Sequence, residues 1–196
     1  MDTANRNYID SLEIKDIPWG RMVTAYCTAI KYPEYFAAME NFGNDEAFEE
    51  AFNGISDFEH QETMFPPAPF ALIFLVRIFE KALKENSFFV AKEMMDFFEN
   101  CLYACNGVEK YENYGFLENF SDMLDDRFLL DEEFAETEPD DDELEEIFDE
   151  TAEIFVDEYF FSMYHYSKEV LSQIPEILGK YGKFPEIKEK FEKMLS

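Results

Sequence analysis

The chain has 196 residues, of which 47% are hydrophobic and 18% aromatic, and its formal net charge at pH 7 is −29. This length is enough for one domain with a sizeable core, and the aromatic content excludes a chain that is disordered throughout. The negative charge repels phosphates and anionic membranes, so it argues against direct binding to nucleic acid or to a membrane and favours basic partners.

The first part of the chain carries no strong pattern, and residues 1–16 are predicted to be a loosely ordered lead-in. They lack the basic and then apolar stretches that are typical of a signal peptide. The strongly apolar run at 70–76 is too short to span a bilayer. Three cysteines, Cys27, Cys101 and Cys105, do not indicate a disulfide framework. We therefore expect a soluble cytoplasmic protein with reduced thiols.

Helical periodicity begins at Ile17. Apolar residues recur every three or four positions over 17–30, which predicts a helix. The next two segments predict two more helices, one over 32–43 that starts at Pro33 and one that opens with Asn44 as its N-cap.

The middle of the chain contains its most apolar segment. Residues 70–86 are apolar on nearly all sides, which predicts a central buried helix. Residues 87–105 predict a further helix with Ser87 as its cap, and 115–130 predict a weaker one.

An acidic region follows, in which residues 131–150 hold thirteen carboxylates and no Lys or Arg. Apolar residues from Leu144 to Ser162 nevertheless recur at helical spacing, and Thr137 resembles an N-cap. We therefore predict an acidic loop at 131–139 and one long amphipathic helix from 140 to about 172.

A short motif, apolar-Pro-Glu-apolar, recurs as "YPEY" at 32–35, "IPEI" at 174–177 and "FPEI" at 184–187. Pro followed by Glu suits the first turn of a helix, so each copy predicts a helix start. The predicted fold is all-α, in a single domain over 1–196, either as HEAT-like helical hairpin repeats that form a short α-solenoid or as an irregular helical bundle.

Two segments within 17–80 carry a resemblance to a known family. The first contains Trp19, Tyr26, Ala29 and Pro33, and the second is "HQETMFPPAPFALIFL" at 60–75. Together they resemble motifs of bacterial HEAT-like repeat proteins, some of which look like immunity proteins against secreted toxins. The chain departs from the pattern at three positions, because Cys27 and Glu62 replace glycine and Ile73 replaces proline. The resemblance implies a helical repeat fold and a binding function.

The residues that could support catalysis or metal binding are sparse. The two histidines, His60 and His165, are far apart in the sequence, and no phosphate-binding glycine loop or nucleophile elbow is present. The acidic run lacks the glycine and ligand spacing of an EF-hand. We predict no enzyme activity, no cofactor and no metal site, and a structural role for His60.

The acidic helix is the candidate binding surface. Its outer face carries negative charges without the interspersed lysines that would stabilise a helix, which favours docking of a basic partner. The predicted acidic ridge consists of Asp140, Asp141, Asp142, Glu145, Glu146, Asp149 and Glu153. Nearby Tyr159, Tyr164 and Tyr166 could be core residues or anchors for the partner.

Three functions are compatible with this surface. The first is an immunity or inhibitor protein that binds and neutralises a basic protein, such as a toxin. The second is a mimic of DNA that occupies a DNA-binding protein, and the third is a HEAT-like scaffold or adaptor in which the charge has no specific role. The oligomeric state is left open.

Overall fold

A computed structural model describes residues 1–109, 115–140, 142–145, 147–148 and 156–196. The fold within them is all-α, apart from one two-stranded antiparallel sheet and one isolated β-bridge. The α-helices are α1 (Thr3–Ser11), α2 (Tyr32–Met39), α3 (Asp45–Ile55), α4 (Ala68–Glu85), α5 (Phe88–Glu109), α6 (Asp157–Leu171), α7 (Ile174–Tyr181) and α8 (Pro185–Met194). The strands are β1 (Glu59–His60) and β2 (Thr63–Met64), and residues 142–145 and 147–148 are also α-helical.

Helix α4 lies at the centre of the core, as its sequence predicts. Thirteen of its 18 residues are buried, on all sides of the helix. It packs against α5, α6, α2 and α7, so one helix joins the N-terminal and C-terminal parts of the chain. Complete burial of a large apolar side chain contributes roughly 1.5–3 kcal/mol, so α4 supplies much of the hydrophobic stabilisation.

The predicted helix starts at the three Pro-Glu motifs are confirmed. Helices α2, α7 and α8 each have proline at the first or second helical position and a glutamate, Glu34, Glu176 or Glu186, in the first turn. Helix α3 likewise begins at its predicted cap, because the Asn44 side chain accepts a hydrogen bond from the backbone N–H of Ala47 at 3.2 Å.

The N-terminal residues differ from the predicted lead-in because they form helix α1. Ile9 and Leu12 are 3% and 4% exposed and belong to the main core. The Arg77 guanidinium of α4 donates to the carbonyl oxygens of Ile9 at 2.8 Å and Leu12 at 2.7 Å, which satisfies the end of the helix. The tertiary contact stabilises a helix whose own sequence has weak amphipathic periodicity.

The helix predicted over 17–30 is wrong. The chain forms short 3-10 turns at Trp19–Arg21 and Ala29–Lys31, joined by a tight reversal with a β-bridge between Val23 and Thr28. The β-branched residues suit this extended pairing. Trp19, Met22, Val23 and Ala29 are still buried because the chain reverses direction, whereas Tyr26 of the same predicted stripe is 62% exposed.

The segment predicted as a weak helix over 115–130 forms 3-10 turns at Phe120–Leu124 and Asp126–Phe128. Its apolar residues Phe120, Met123 and Phe128 are buried nonetheless. A 3-10 turn repeats every three residues, so a short run of buried positions at that spacing is indistinguishable from a helical stripe.

The single long helix predicted from 140 to about 172 is also wrong. Val156 has φ −66° and ψ 150°, an extended conformation, and α6 starts at the following residue. Asp157 and Glu158 occupy the first turn of α6, where the helix dipole favours negative charge. Apolar residues at helical spacing therefore do not require one continuous helix, because they recur on both sides of the extended Val156.

Candidate functional site

The acidic region rests on a small apolar cluster that is separate from the main core. Val23, Leu130 and Ile147 are buried in it, and Phe134 and Leu144 pack against it. The cluster joins the chain reversal near residue 23 to both ends of the acidic region. Exposed carboxylates in 131–145 are thus displayed on a packed base.

Arg21 is the main polar anchor of this region. Its Nε donates to the carbonyl oxygen of Leu130 at 2.5 Å, and the Leu130 N–H donates back to the Arg21 carbonyl at 3.0 Å. A terminal nitrogen of the same guanidinium contacts Asp126 at 2.6 Å, with the Arg21 side chain only 12% exposed. The planar guanidinium therefore fixes the backbone at the start of the acidic region.

Gly20 permits close contact between the same two segments. A Cβ atom at this position would lie 2.4 Å from the Phe134 carbonyl oxygen and 2.6 Å from that of Ala135. Lys31 adds a second ionic contact, 2.6 Å from Glu138. Sequence reasoning missed both Gly20 and Arg21, although a glycine inside a helical pattern was a signal of close backbone approach.

The helical segment at 142–145 is capped by Asp140 instead of the predicted Thr137. The Asp140 carboxylate accepts from the backbone N–H groups of Asp142 at 3.1 Å and Glu143 at 3.0 Å. The Glu143 carboxylate accepts from the Asp140 N–H at 2.8 Å, which completes a reciprocal capping box. One residue of the predicted ridge therefore has a structural role.

Three residues of the predicted acidic ridge, Asp140, Asp142 and Glu145, are described and all are exposed. The other four, Asp141, Glu146, Asp149 and Glu153, lie outside the described residues. Within the described residues of 131–145, the exposed carboxylates without an ion pair define what we call the acidic surface: Asp131, Glu132, Glu133, Glu136, Asp140, Asp142, Glu143 and Glu145.

Four lysines near the C-terminus form ion pairs with glutamates that do not belong to the acidic surface. The ion pairs are Lys180–Glu80, Lys188–Glu192, Lys190–Glu99 and Lys193–Glu189. Like charges that face each other across the acidic surface repel, and the described cations nearby, Arg21 and Lys31, are already paired. The surface therefore keeps its negative potential.

A second polar centre lies where the two resemblance segments meet. Asp57 accepts hydrogen bonds from the Thr24 hydroxyl at 2.7 Å and the Tyr32 hydroxyl at 2.5 Å. Burial raises the pKa of Asp57, although both hydrogen bonds lower it. The Tyr26 hydroxyl and His60 Nδ1 are 3.0 Å apart on the surface beside it. These bonds hold the chain reversal against the β-hairpin, in agreement with a structural role for His60.

The turn of the β-hairpin holds two residues with side chains in a conformation that favours glycine. Gln61 and Glu62 have φ angles of 51° and 65°, in the left-handed region that favours glycine. A turn with two such residues matches the twist of a two-residue hairpin, and glycine is preferred at its second position. Glu62 therefore stands at a position where backbone geometry, and not chemistry, selects glycine.

The three tyrosines of α6 and two of the three cysteines, Cys101 and Cys105, belong to the core. Tyr159, Tyr164 and Tyr166 are 0%, 4% and 1% exposed, so they are core residues and not exposed anchors. None of the three cysteines, all of which the structure describes, forms a disulfide, and burial raises the pKa of the Cys101 thiol. In this environment the Cys101 thiol stays protonated and unreactive.

Comparisons with known proteins give no assignment, since the chain matches no family model, no curated protein and no solved structure. Among the described residues no cluster of three or more His, Cys, Asp or Glu has the arrangement of a metal site. No helix in that part of the chain is long and apolar enough to cross a membrane. The acidic surface is the feature on which a functional proposal can rest.

Proposed function

We propose that this protein is an acidic protein-binding module that acts by binding, without catalysis, in the bacterial cytoplasm. Its most specific form is an immunity or inhibitor protein that binds and neutralises a basic partner such as a toxin. The observation that carries the proposal is the acidic surface, whose eight carboxylates are exposed and have no ion pair among the described residues.

The physical argument concerns the energy of a surface with one sign. Exposed ion pairs contribute little to stability, yet like charges held close together on a fixed base are unfavourable. A basic partner would replace that repulsion with attraction. Complementary charge would raise the association rate, and apolar contacts at the centre of the interface would set the lifetime of the complex.

The test compares two triple variants with the same change in net charge. One carries E136Q, D142N and E145Q on the acidic surface. These substitutions do not change Asp140 and Glu143, whose side chains cap the helical segment. The other carries E46Q, E49Q and E50Q on the exposed side of α3. The wild type and both variants are immobilised and used to capture partners from lysate at low salt. The association rate of the captured protein with each of the three is then measured over a range of salt concentrations.

We expect one basic protein to be captured by the wild type and the α3 variant, with an association rate that falls as salt rises. The acidic-surface variant should associate at least about tenfold more slowly. Equal association rates for the two variants would overturn the charge-specific proposal. The remaining proposal would then be a scaffold, in which HEAT-like hairpins provide the contact. Helices α2–α3, α4–α5 and α7–α8 pack as consecutive pairs, which supports such a repeat arrangement.

The proposal of a DNA mimic is distinguished in the same experiment. Duplex DNA should displace the acidic protein from a DNA-binding partner, since both would occupy one basic groove. A basic partner that is captured but is not released by duplex DNA would favour the immunity or inhibitor function.

A further inference from the structure

A cleft lies on the side of the molecule where α1 and α7 cross the central helix α4. Its volume is about 490 Å³, in the range typical of small-molecule sites. Each of the three helices contributes one cation and one anion to its walls: Arg6 and Asp10 from α1, Arg77 and Glu80 from α4, and Lys180 and Glu176 from α7. The wall is therefore electroneutral in a chain whose net charge is −29.

Most of these charges already have partners. Arg77 donates to backbone carbonyl oxygens at the end of α1, including that of Asp10 at 3.3 Å. Lys180 and Glu80 form an ion pair at 2.6 Å. The Asp10 carboxylate is close enough to Arg77 to act on it electrostatically. These contacts engage four of the six charged groups.

Two opposite charges, both at exposed positions, remain without a side-chain partner among the described residues. They are the guanidinium of Arg6 on α1 and the carboxylate of Glu176 on α7, on different helices of the same cleft. A ligand that offers one negative and one positive group would satisfy both and would add no net charge. Charge-assisted hydrogen bonds of this kind are stronger than neutral ones.

The floor between these walls is aliphatic. Ile9, Ile73, Val76 and Ile177 line the cleft, and each is less than a tenth exposed. Small-molecule sites combine apolar surface with a few convergent polar groups, and in this cleft the polar share of the exposed lining is the larger. Gln173 also lines the cleft and offers both a donor and an acceptor.

We propose that this cleft binds an aliphatic zwitterion, either a free branched-chain amino acid or a short aliphatic peptide. The carboxylate of the ligand contacts Arg6, its ammonium contacts Glu176, and its side chain covers the aliphatic floor. This site is remote in sequence from the acidic surface, and the proposal goes beyond the proposed function. Failure of one of the two proposals would therefore not contradict the other.

Calorimetric titration of the full-length protein tests the charge requirement directly. The ligands are L-leucine, 4-methylpentanoic acid, which lacks the ammonium, and isopentylamine, which lacks the carboxylate. Leucine should bind at least about tenfold more tightly than either single-charge analogue, because each analogue can form only one of the two charge-assisted contacts. Leucyl-leucine in place of leucine distinguishes a peptide site from a site for the free amino acid.

Two variants locate the site. R6Q should weaken leucine binding at least about tenfold while it leaves the affinity for isopentylamine unchanged, and E176Q should weaken leucine binding and leave that for 4-methylpentanoic acid unchanged. The matched control is K84Q with E85Q, at exposed positions of α4 outside the cleft. No heat of binding with leucine or leucyl-leucine at roughly 10 mM would overturn the proposal, as would equal affinity for the single-charge analogues.

Discussion

Tyr159 and Tyr166 lie on the same helix, and both are buried, but their hydroxyl groups are in opposite situations. The Tyr166 hydroxyl donates to the carbonyl oxygens of Leu117 at 2.7 Å and Glu118 at 3.0 Å. Within the described part of the chain, the buried Tyr159 hydroxyl has no hydrogen-bond partner. A buried polar group that is unsatisfied costs about 1–3 kcal/mol, whereas a satisfied one contributes about 1 kcal/mol.

Replacement of each tyrosine by phenylalanine should therefore have opposite effects. We expect Y159F to raise the free energy of unfolding by about 1 kcal/mol, because it removes an unsatisfied hydroxyl without loss of the ring. Y166F should lower it by about 1–2 kcal/mol, because buried carbonyl oxygens lose their donor. Urea denaturation measures both, and a loss of stability in Y159F would show that its hydroxyl has a partner.

Asp57 should make stability depend on pH. Burial raises its pKa above the ordinary value of 3.8, so the native state holds the proton more tightly than the unfolded state does. Stability then falls as pH rises from 3.8 through the raised native pKa, because ionisation of the buried carboxyl is unfavourable. D57N cannot ionise; its amide keeps one of the two acceptor oxygens, and its NH₂ group replaces the other, so one of the two hydroxyls must turn to accept.

The measurement is urea denaturation of wild type and D57N at a series of pH values. The free energy of unfolding of D57N, relative to wild type, should increase across that window and become constant above it. A difference that is the same at every pH would contradict a raised pKa at Asp57.

At the scale of elements, the β-hairpin carries a cost that one substitution should remove. Glu62 at φ 65° adopts a conformation that is unfavourable by about 1 kcal/mol or more for a residue with a Cβ atom. E62G should raise the free energy of unfolding by about 0.5–1 kcal/mol, measured by thermal and urea denaturation. E62A keeps the Cβ atom, so it is the matched control and should show no gain; equal gains would attribute the effect to the lost charge.

The contact between the acidic region and the chain reversal should depend on Gly20. G20A places a Cβ atom against two backbone carbonyls, and backbone cannot move aside as a flexible side chain can. We expect a loss of about 1–3 kcal/mol in the free energy of unfolding and faster hydrogen exchange near Phe134. G43A has its nearest neighbour at 3.6 Å and should be close to neutral. Equal effects of the two would contradict the close approach at Gly20.

What the sequence could predict at this scale depended on the range of the interactions. The Pro-Glu starts and the Asn44 cap are local chemistry, and the run of 70–86 is apolar enough to be central in any compact fold. The turns at 17–31 could not be predicted in this way, because a β-bridge and bonds to Asp57 fix them. Asp140, Asp142 and Glu145 of the predicted ridge are exposed, and its role in binding stays a prediction. The residues that anchor this region, Arg21 and Lys31, are more than a hundred residues away in the sequence and could not be inferred from it.

For the whole molecule, the net charge of −29 predicts a response to salt. Repulsion among surface carboxylates opposes the compact state, and added salt screens it. We expect the midpoint of thermal unfolding to rise as NaCl is increased from about 0.05 M to about 0.5 M. MgCl₂ at equal ionic strength is the control, and a much larger rise with magnesium would indicate specific cation binding instead of screening.

The central position of α4 has a consequence for biosynthesis. Its apolar sides are covered in part by α6, and the end of α6 at Leu171 follows the end of α4 at Glu85 by 86 residues. A ribosome adds about 5–20 residues per second, so α4 spends roughly 4–17 seconds outside its final environment. During that interval the growing polypeptide exposes the apolar surface of α4. We therefore expect holdase chaperones, which recognise such surfaces, to bind the nascent chain.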